Sequence, residues 1–536
     1  MRRATILPGV ALAVLAAGRS TVGSLFRDRA RLHPDRPAVE TAGRTLTYGA
    51  LNERVNRVVD VLRGFGVARG ERVAIVSENR AEYLELELAC AKLGTILACQ
   101  NWRLAPPELK HCVGLVSPRL VVVSERHVEL LARAEVGSIP TVRLGPELEE
   151  RLGPARGHEP EIAAEPEDGL LILYTSGTTG LPKGAVISHR AEIARYLVYG
   201  ADLGVRPGDT SLAWPPFFHM AGTEPALGAL VTGGKVIVVD GFKPDEIAVY
   251  VGRERLGHLV LMPGMIEPLI GELRKRSVRP AGVRLCGAMA DLVPAHQIAE
   301  VTTLLGAPYL NSFGSTETGV PPASGNQIPV GEVPLRLSKR QNTFCEVRLV
   351  DAEDRDVPIG TPGELLFRGP TLFSGYWNAP ETNAEDFRGG WFHMGDMFIR
   401  NADGSLDFVD RVKYMIKSGG ENIYPAEIER VLLADPRVAD AVVVRRPDAK
   451  WGEVPVAVVA PKDATLTSAD LLARCHAALA GYKQPKDIVF VTLDELPRST
   501  TGKIQRHQVE AWLRQQAAAP GGRSAASRQA GPLPLS

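Results

Sequence analysis

Residues 174–184 read YTSGTTGLPKG and follow directly on the apolar run Leu170–Leu173. Glycines allow successive backbone N–H groups to turn inward with no Cβ in the way. Gly177 and Gly180 supply that freedom, the hydroxyls of Thr175, Ser176, Thr178 and Thr179 add donors, and Lys183 adds one mobile positive charge. A loop of this make-up is a phosphate cradle. It is not the G-x-x-x-x-G-K-[ST] loop, because Lys183 stands between Pro182 and Gly184.

Further groups follow downstream. Residues 215–222 read PPFFHMAG, placing His219 among aromatic and small residues. A single histidine in such company is ordinarily a satisfied core residue. Residues 286–289 read CGAM and residues 311–319 read NSFGSTETG, which brings Gly287, Ala288, Asn311, Phe313, Thr316 and Glu317 into play. Residues 390–396 read GWFHMGD and residues 410–422 read DRVKYMIKSGGEN. A carboxylate such as Asp396 is a good anchor for two ribose hydroxyls. Residues 496–504, LPRSTTGKI, set Lys503 on a turn near the C-terminus, where a lysine is usually just a solvated charge.

Taken singly, each group has an ordinary structural reading. Together and in this order, from Thr175 to Lys503, they resemble the signatures of the adenylate-forming enzymes: acyl-CoA synthetases, firefly-type luciferases and peptide-synthetase adenylation domains. The resemblance covers residues 21–510. It implies that the cradle, with Lys183, binds ATP phosphates and that His219 sits beside the carboxylate being activated. It implies that Phe313 stacks on adenine with Gly287, Ala288 and Asn311 nearby, that Thr316 reaches the α-phosphate, and that Glu317 holds Mg2+. Asp396 and Arg411 would take the ribose, Lys413 would be the hinge, and Lys417, Gly419 and Gly420 would border the nucleotide and the pantetheine arm. Lys503 would swing in for adenylation. Carboxylate attack on an α-phosphate brings two anions together, so positive charge must meet the transition state. Phe313 and Asn311 depart from the more usual Tyr and Gln, and Cys286 and Met289 depart from a G-G-A-P turn.

The activity implied is that of an AMP-forming acyl-CoA synthetase, which joins a carboxylic acid to CoA at the expense of ATP, through an acyl-adenylate. A free-standing ligase that loads a carrier protein is an alternative. So is a non-catalytic nucleotide-binding homologue, which would be expected to have lost Lys503 or Glu317. Trp214, His219, Gly287, Asn311 and Gly314 are candidate pocket residues, without lysine or arginine among them, compatible with a fatty, aromatic or alicyclic acid.

These groups need a scaffold. At 536 residues the chain exceeds one core. Leu51, Val55, Val58, Val59 and Leu62 repeat at helical spacing, and Val73–Val76, Leu120–Val123, Leu170–Leu173, Val236–Val239 and Leu259–Met262 read as short buried strands. Strand–helix alternation predicts an α/β fold with largely parallel sheet. By resemblance this is a large N-terminal domain of layered sheets and helices, residues 21–410, with a small mobile α+β domain, residues 411–515, containing a helix at Pro425–Leu433 and a strand at Ala441–Val444. Residues 516–536 are expected to be a disordered tail. Residues 1–20 resemble a leader, with Arg2 and Arg3 before an apolar run too short to span a bilayer. A need for ATP and six scattered cysteines favour the cytoplasm. Lys+Arg and Asp+Glu balance at 62 each, so no global field draws nucleic acid or anionic membrane. Nothing in the sequence specifies an oligomeric state.

Overall fold

The computed structural model describes residues 18–175, 181–418, 421–498 and 504–518. The chain divides into two units at Val347/Arg348, Leu366/Phe367 and Phe392/His393, so that 367–392 belongs with the first unit and 348–366 with the second. The expected boundary at 410/411 lies inside the second unit. The leader-like segment falls almost wholly outside the described residues. Most of the expected tail does too, although the last helix, Arg506–Ala518, runs three residues into it.

In the first unit a six-stranded sheet runs Thr141–Arg143, Leu120–Val123, Arg72–Val76, Ile96–Cys99, Gly169–Thr175, Lys183–Ser188. The first five strands are parallel and the last pairs antiparallel. Parallel strands covered by helices on both faces read as continuous apolar runs, which is why LVVV and RVAIV sit here. The helix Tyr48–Gly64 starts where the Thr47 hydroxyl accepts from the Ala50 N–H at 3.2 Å, and it buries Leu51, Val55, Val58, Val59 and Leu62 as its spacing predicts. Two further sheets, ordered Arg44–Thr47, Pro37–Thr41, Val236–Val238, Ser211–Ala213 and Leu256–Leu259, Val283–Cys286, Tyr309–Leu310, Gln327–Ile328, complete the layers. The strand expected at Leu259–Met262 ends at Leu259 instead. Met262–Met265 close a turn there, with the Met265 N–H donating to the Met262 carbonyl at 3.1 Å.

The second unit contains a long antiparallel hairpin, Val438–Asp448 with Gly452–Pro461, joined by the parallel strand Asp487–Phe490. Its run of valines is explained by two covered faces. Ala441 and Val443 pack toward Ile428 and Leu432 of the helix Pro425–Leu433, while Val442 and Val444 pack toward Val509 and Trp512 of the last helix. Among the described residues no helix is long and apolar enough to cross a membrane.

Candidate active site

The strands Gly169–Thr175 and Lys183–Ser188 pair with Thr175 opposite Lys183. The strands that flank the expected phosphate cradle are therefore antiparallel neighbours at the sheet edge, with Lys183 at the start of the second. Ser176, Gly177, Thr178, Thr179 and Gly180 lie outside the described residues.

Three backbone hydrogen bonds zip the Lys183 strand to residues 374–377: Val186 N–H to Gly375 O at 3.0 Å, Ser374 N–H to Val186 O at 2.8 Å, and Trp377 N–H to Gly184 O at 2.8 Å. This brings in Tyr376, which the sequence reading missed. Its hydroxyl donates to Glu317 Oε1 at 2.7 Å, and the Lys183 ammonium stands 5.0 Å from its ring centroid. The phenol thus joins the expected phosphate-binding lysine to the expected metal-binding glutamate.

The Thr316–Glu317 turn is held from behind by Arg195, a second residue the sequence did not single out. Arg195 is fully buried in the helix His189–Ala201. It donates to the carbonyls of Thr316 at 3.0 Å and Thr371 at 3.1 Å, and forms a buried ion pair with Glu224. Gly319 makes room, since a Cβ there would meet the Arg195 side chain at 2.9 Å. Glu224 belongs to the helix Met220–Thr232, whose N-cap is His219. The His219 Nδ1 accepts from the Ala221 N–H at 3.1 Å. Accepting there fixes the proton of the neutral ring on Nε2, which becomes a donor. Arg195 therefore ties the Thr316–Glu317 turn to the helix capped by His219. Glu192 and Glu224 share this one cation, while the buried Glu87 accepts from the Thr223 hydroxyl at 2.6 Å. Burial raises all three carboxyls, that of Glu192 to about 8.

The 286–289 turn is fixed from several directions. Gly287 has φ +79°, and a Cβ there would lie 2.1 Å from the Tyr309 ring, so only glycine fits. Its N–H donates to Leu259 O at 2.9 Å, and the Tyr309 hydroxyl donates to Ala288 O at 2.9 Å. Cys286 is buried, as a small apolar residue would be. Phe313 is half-buried, with its N–H donated to Ser324 Oγ at 2.8 Å.

Asn311 is otherwise engaged. Its amide donates to the carbonyls of Leu337 and Ser338 at 3.1 Å each, and its Oδ1 accepts from Lys339 at 2.7 Å. Lys339 is fully buried and also pairs with Asp291 at 2.7 Å. No lysine stands among the candidate pocket residues, but Lys339 meets Asn311 from 28 residues away.

His258 Nε2 donates to Gly287 O at 2.8 Å, and its Nδ1 is buried with no partner among the described residues. Protonating Nδ1 would create a donor with nothing to bond, and burial pushes this imidazole down to about 4. An unfolded histidine titrates near 6.5, so the stability held by the neutral ring is complete above that pH and is lost as pH falls toward 4. Wild-type protein is expected to lose about 2 kcal/mol more than His258→Gln between pH 7 and pH 5. Thermal or denaturant unfolding of both across that range checks this; parallel pH profiles would contradict it.

In the second unit, Asp396 on the strand Phe392–Arg400 stands directly opposite Arg411 on the strand Leu406–Arg411. Their side chains pair at 3.1 Å, with Asp396 buried. The two residues expected to serve the ribose are thus cross-strand neighbours. Lys417 is exposed, with its backbone N–H on Glu453 at 2.9 Å. Gly419, Gly420 and Lys503 lie outside the described residues. On either side of Lys503 in sequence, Arg498 and Ile504 form a bridge and the Gln505 N–H donates to Pro497 O at 2.7 Å. Arg506 then anchors to Glu429 at 2.8 Å and lies over the Tyr414 ring, 4.8 Å from its centroid.

Comparison with known proteins identifies the family. The family model for AMP-binding enzymes matches residues 26–377, and that for the AMP-binding enzyme C-terminal domain matches residues 427–503. An indoleacetate–CoA ligase of Aromatoleum aromaticum is 37% identical over 90% of this chain and 96% of its own. A feruloyl-CoA synthase of an Amycolatopsis species is 35% identical over 91% of this chain and 98% of its own. The crystal structure of the anthranilate CoA ligase AuaEII, in complex with anthranoyl-AMP, superposes with a TM-score of 0.81 at 25% identity, covering 94% of this chain and 99% of that one. The chain belongs to the AMP-binding enzyme family and is an acid–thiol ligase of the adenylate-forming superfamily.

Proposed function

We propose that the protein is an AMP-forming CoA ligase for a ring-bearing carboxylic acid, aromatic or arylalkanoic. The observation that carries the choice of acid is a set of half-buried apolar side chains on one core. Ala221, Phe242, Met262 and Met265 lie half-buried against the core that contains Trp214, and Trp214 meets Phe242 edge-on with ring centroids 5.2 Å apart. Aromatic and thioether groups give favourable contacts to a flat ring. The two relatives described above are named for ring-bearing acids, which supports the same choice.

In this reading the acid carboxylate lies by His219, whose Nε2–H donates to it. The cradle and Lys183 hold the triphosphate, Thr316 reaches the α-phosphate, and Asp396 with Arg411 holds the ribose. Glu317 suits Mg2+, which takes one or two carboxylates plus phosphate oxygens and neutralises charge on the triphosphate when bound. Lys503 meets the charge that develops as the carboxylate attacks and pyrophosphate leaves. The CoA thiol then attacks the acyl carbonyl and AMP departs, with Gly419 and Gly420 bordering the thiol's approach. Excluding water protects the mixed anhydride between the two steps.

Turnover measured on hydroxycinnamates, indole-3-acetate and benzoates against C8–C16 fatty acids tests the substrate class. At least about a tenfold advantage in kcat/KM for a ring-bearing acid is expected. Fatty acids turned over as well or better would overturn this choice and leave the ligase chemistry standing.

A further inference from the structure

Tyr376 is held more firmly than a surface phenol needs. Asn383 clamps its backbone on both sides, Oδ1 accepting the Tyr376 N–H at 2.8 Å and Nδ2 donating to the Tyr376 carbonyl at 2.9 Å. Its ring packs edge-on against Phe373, centroids 4.8 Å apart, and Phe373 is in turn packed by Phe387 and Phe392. The Phe373 N–H donates to the Glu317 carbonyl at 2.8 Å, so the two segments are also joined through backbone. Gly375, at φ +97°, turns the chain just before the tyrosine, against Asn383. The result is a hydroxyl fixed 2.7 Å from Glu317 Oε1 beneath the Lys183 ammonium.

We propose that Tyr376 is the positioning residue for metal–nucleotide binding at this site: its hydroxyl fixes the Glu317 carboxylate with Oε2 toward the dication, and its ring seats Lys183 against the phosphates. The proposal rests on the ligase reading given above, in which Glu317 holds the metal. Among the described residues nothing donates a hydrogen bond to Oε2. A carboxylate that must find its rotamer on each binding event loses side-chain entropy, and a charge-assisted hydrogen bond from a clamped donor removes that cost in advance. The aromatic face attracts the lysine ammonium and limits the positions it samples. No covalent step is assigned to the phenol.

Two substitutions separate hydroxyl from ring. Tyr376→Phe keeps the packing on Phe373 and the face under Lys183 but removes the donor. It is expected to weaken Mn2+ binding to the protein–ATP complex by about tenfold, read by electron paramagnetic resonance without turnover. The same variant is expected to raise the Mg2+ midpoint for pyrophosphate release by a similar factor, with thioester formation from supplied acyl-adenylate unchanged. Tyr376→Leu is expected to add a weakening of metal-free ATP binding, which Tyr376→Phe does not show. Mn2+ affinity equal to wild type in Tyr376→Phe would overturn the role. Should wild-type protein turn over no acid at all, the ligase reading fails, and the Mn2+–ATP comparison still decides the role of Tyr376 by itself.

Discussion

Lys503→Ala is expected to reduce acyl-adenylate formation by two to three orders of magnitude. Thioester formation from supplied acyl-adenylate should change by less than about threefold. The asymmetry follows from charge. In the first half-reaction an anionic carboxylate attacks an anionic α-phosphate and pyrophosphate carries off further negative charge, so a preorganised cation is stronger in the transition state than in the ground state. Losing one such contact costs roughly 3–4 kcal/mol. In the second half-reaction a thiol attacks a carbonyl, and the leaving AMP builds far less charge at that point. The residues that flank the Lys503 segment are held in the small unit by the bridge between Arg498 and Ile504 and the pairing of Arg506 with Glu429. Measuring the half-reactions separately checks this, and equal loss in both would remove Lys503 from the adenylation step.

Glu317→Ala should lower pyrophosphate release at saturating ATP by about 100-fold and raise the Mg2+ concentration needed for half-maximal rate. Glu317→Gln isolates the cause, because the amide oxygen still accepts from Tyr376 while the charge is gone. If Gln behaves like Ala, the carboxylate charge is what matters; if Gln restores the rate, the hydrogen bond from Tyr376 is. A Mg2+ dependence identical to wild type in both variants would take Glu317 out of the metal site.

Much of the architecture was legible because local patterns and tertiary structure agree. The strand at Leu120–Val123 and the helix at Pro425–Leu433 fall where their apolar runs place them. Arg195, Tyr376 and Lys339 could not be read, since each acts through partners far along the chain. Arg195 sits in a helix whose sequence, HRAEIARYLVYGA, gives no sign that one arginine is fully buried. Its partners are 29, 121 and 176 residues away. Tyr376 reaches Glu317 across 59 residues. Asn311 shows the converse: its place in a signature string suggested a ligand contact, yet its amide is engaged by Leu337, Ser338 and Lys339. The second unit's strand Phe392–Arg400 carries Asp396, and only the antiparallel register reveals that Arg411 faces it.

The most direct test of the central claim follows one oxygen atom. The acid, labelled with 18O in both carboxylate positions, is turned over with MgATP and CoA, and the phosphorus-containing products are analysed by mass spectrometry. If the carboxylate attacks the α-phosphate and AMP later departs with the bridging oxygen, each AMP released must contain one 18O and pyrophosphate none. Label appearing in orthophosphate, with ADP as co-product, or AMP free of label, would contradict an acyl-adenylate route.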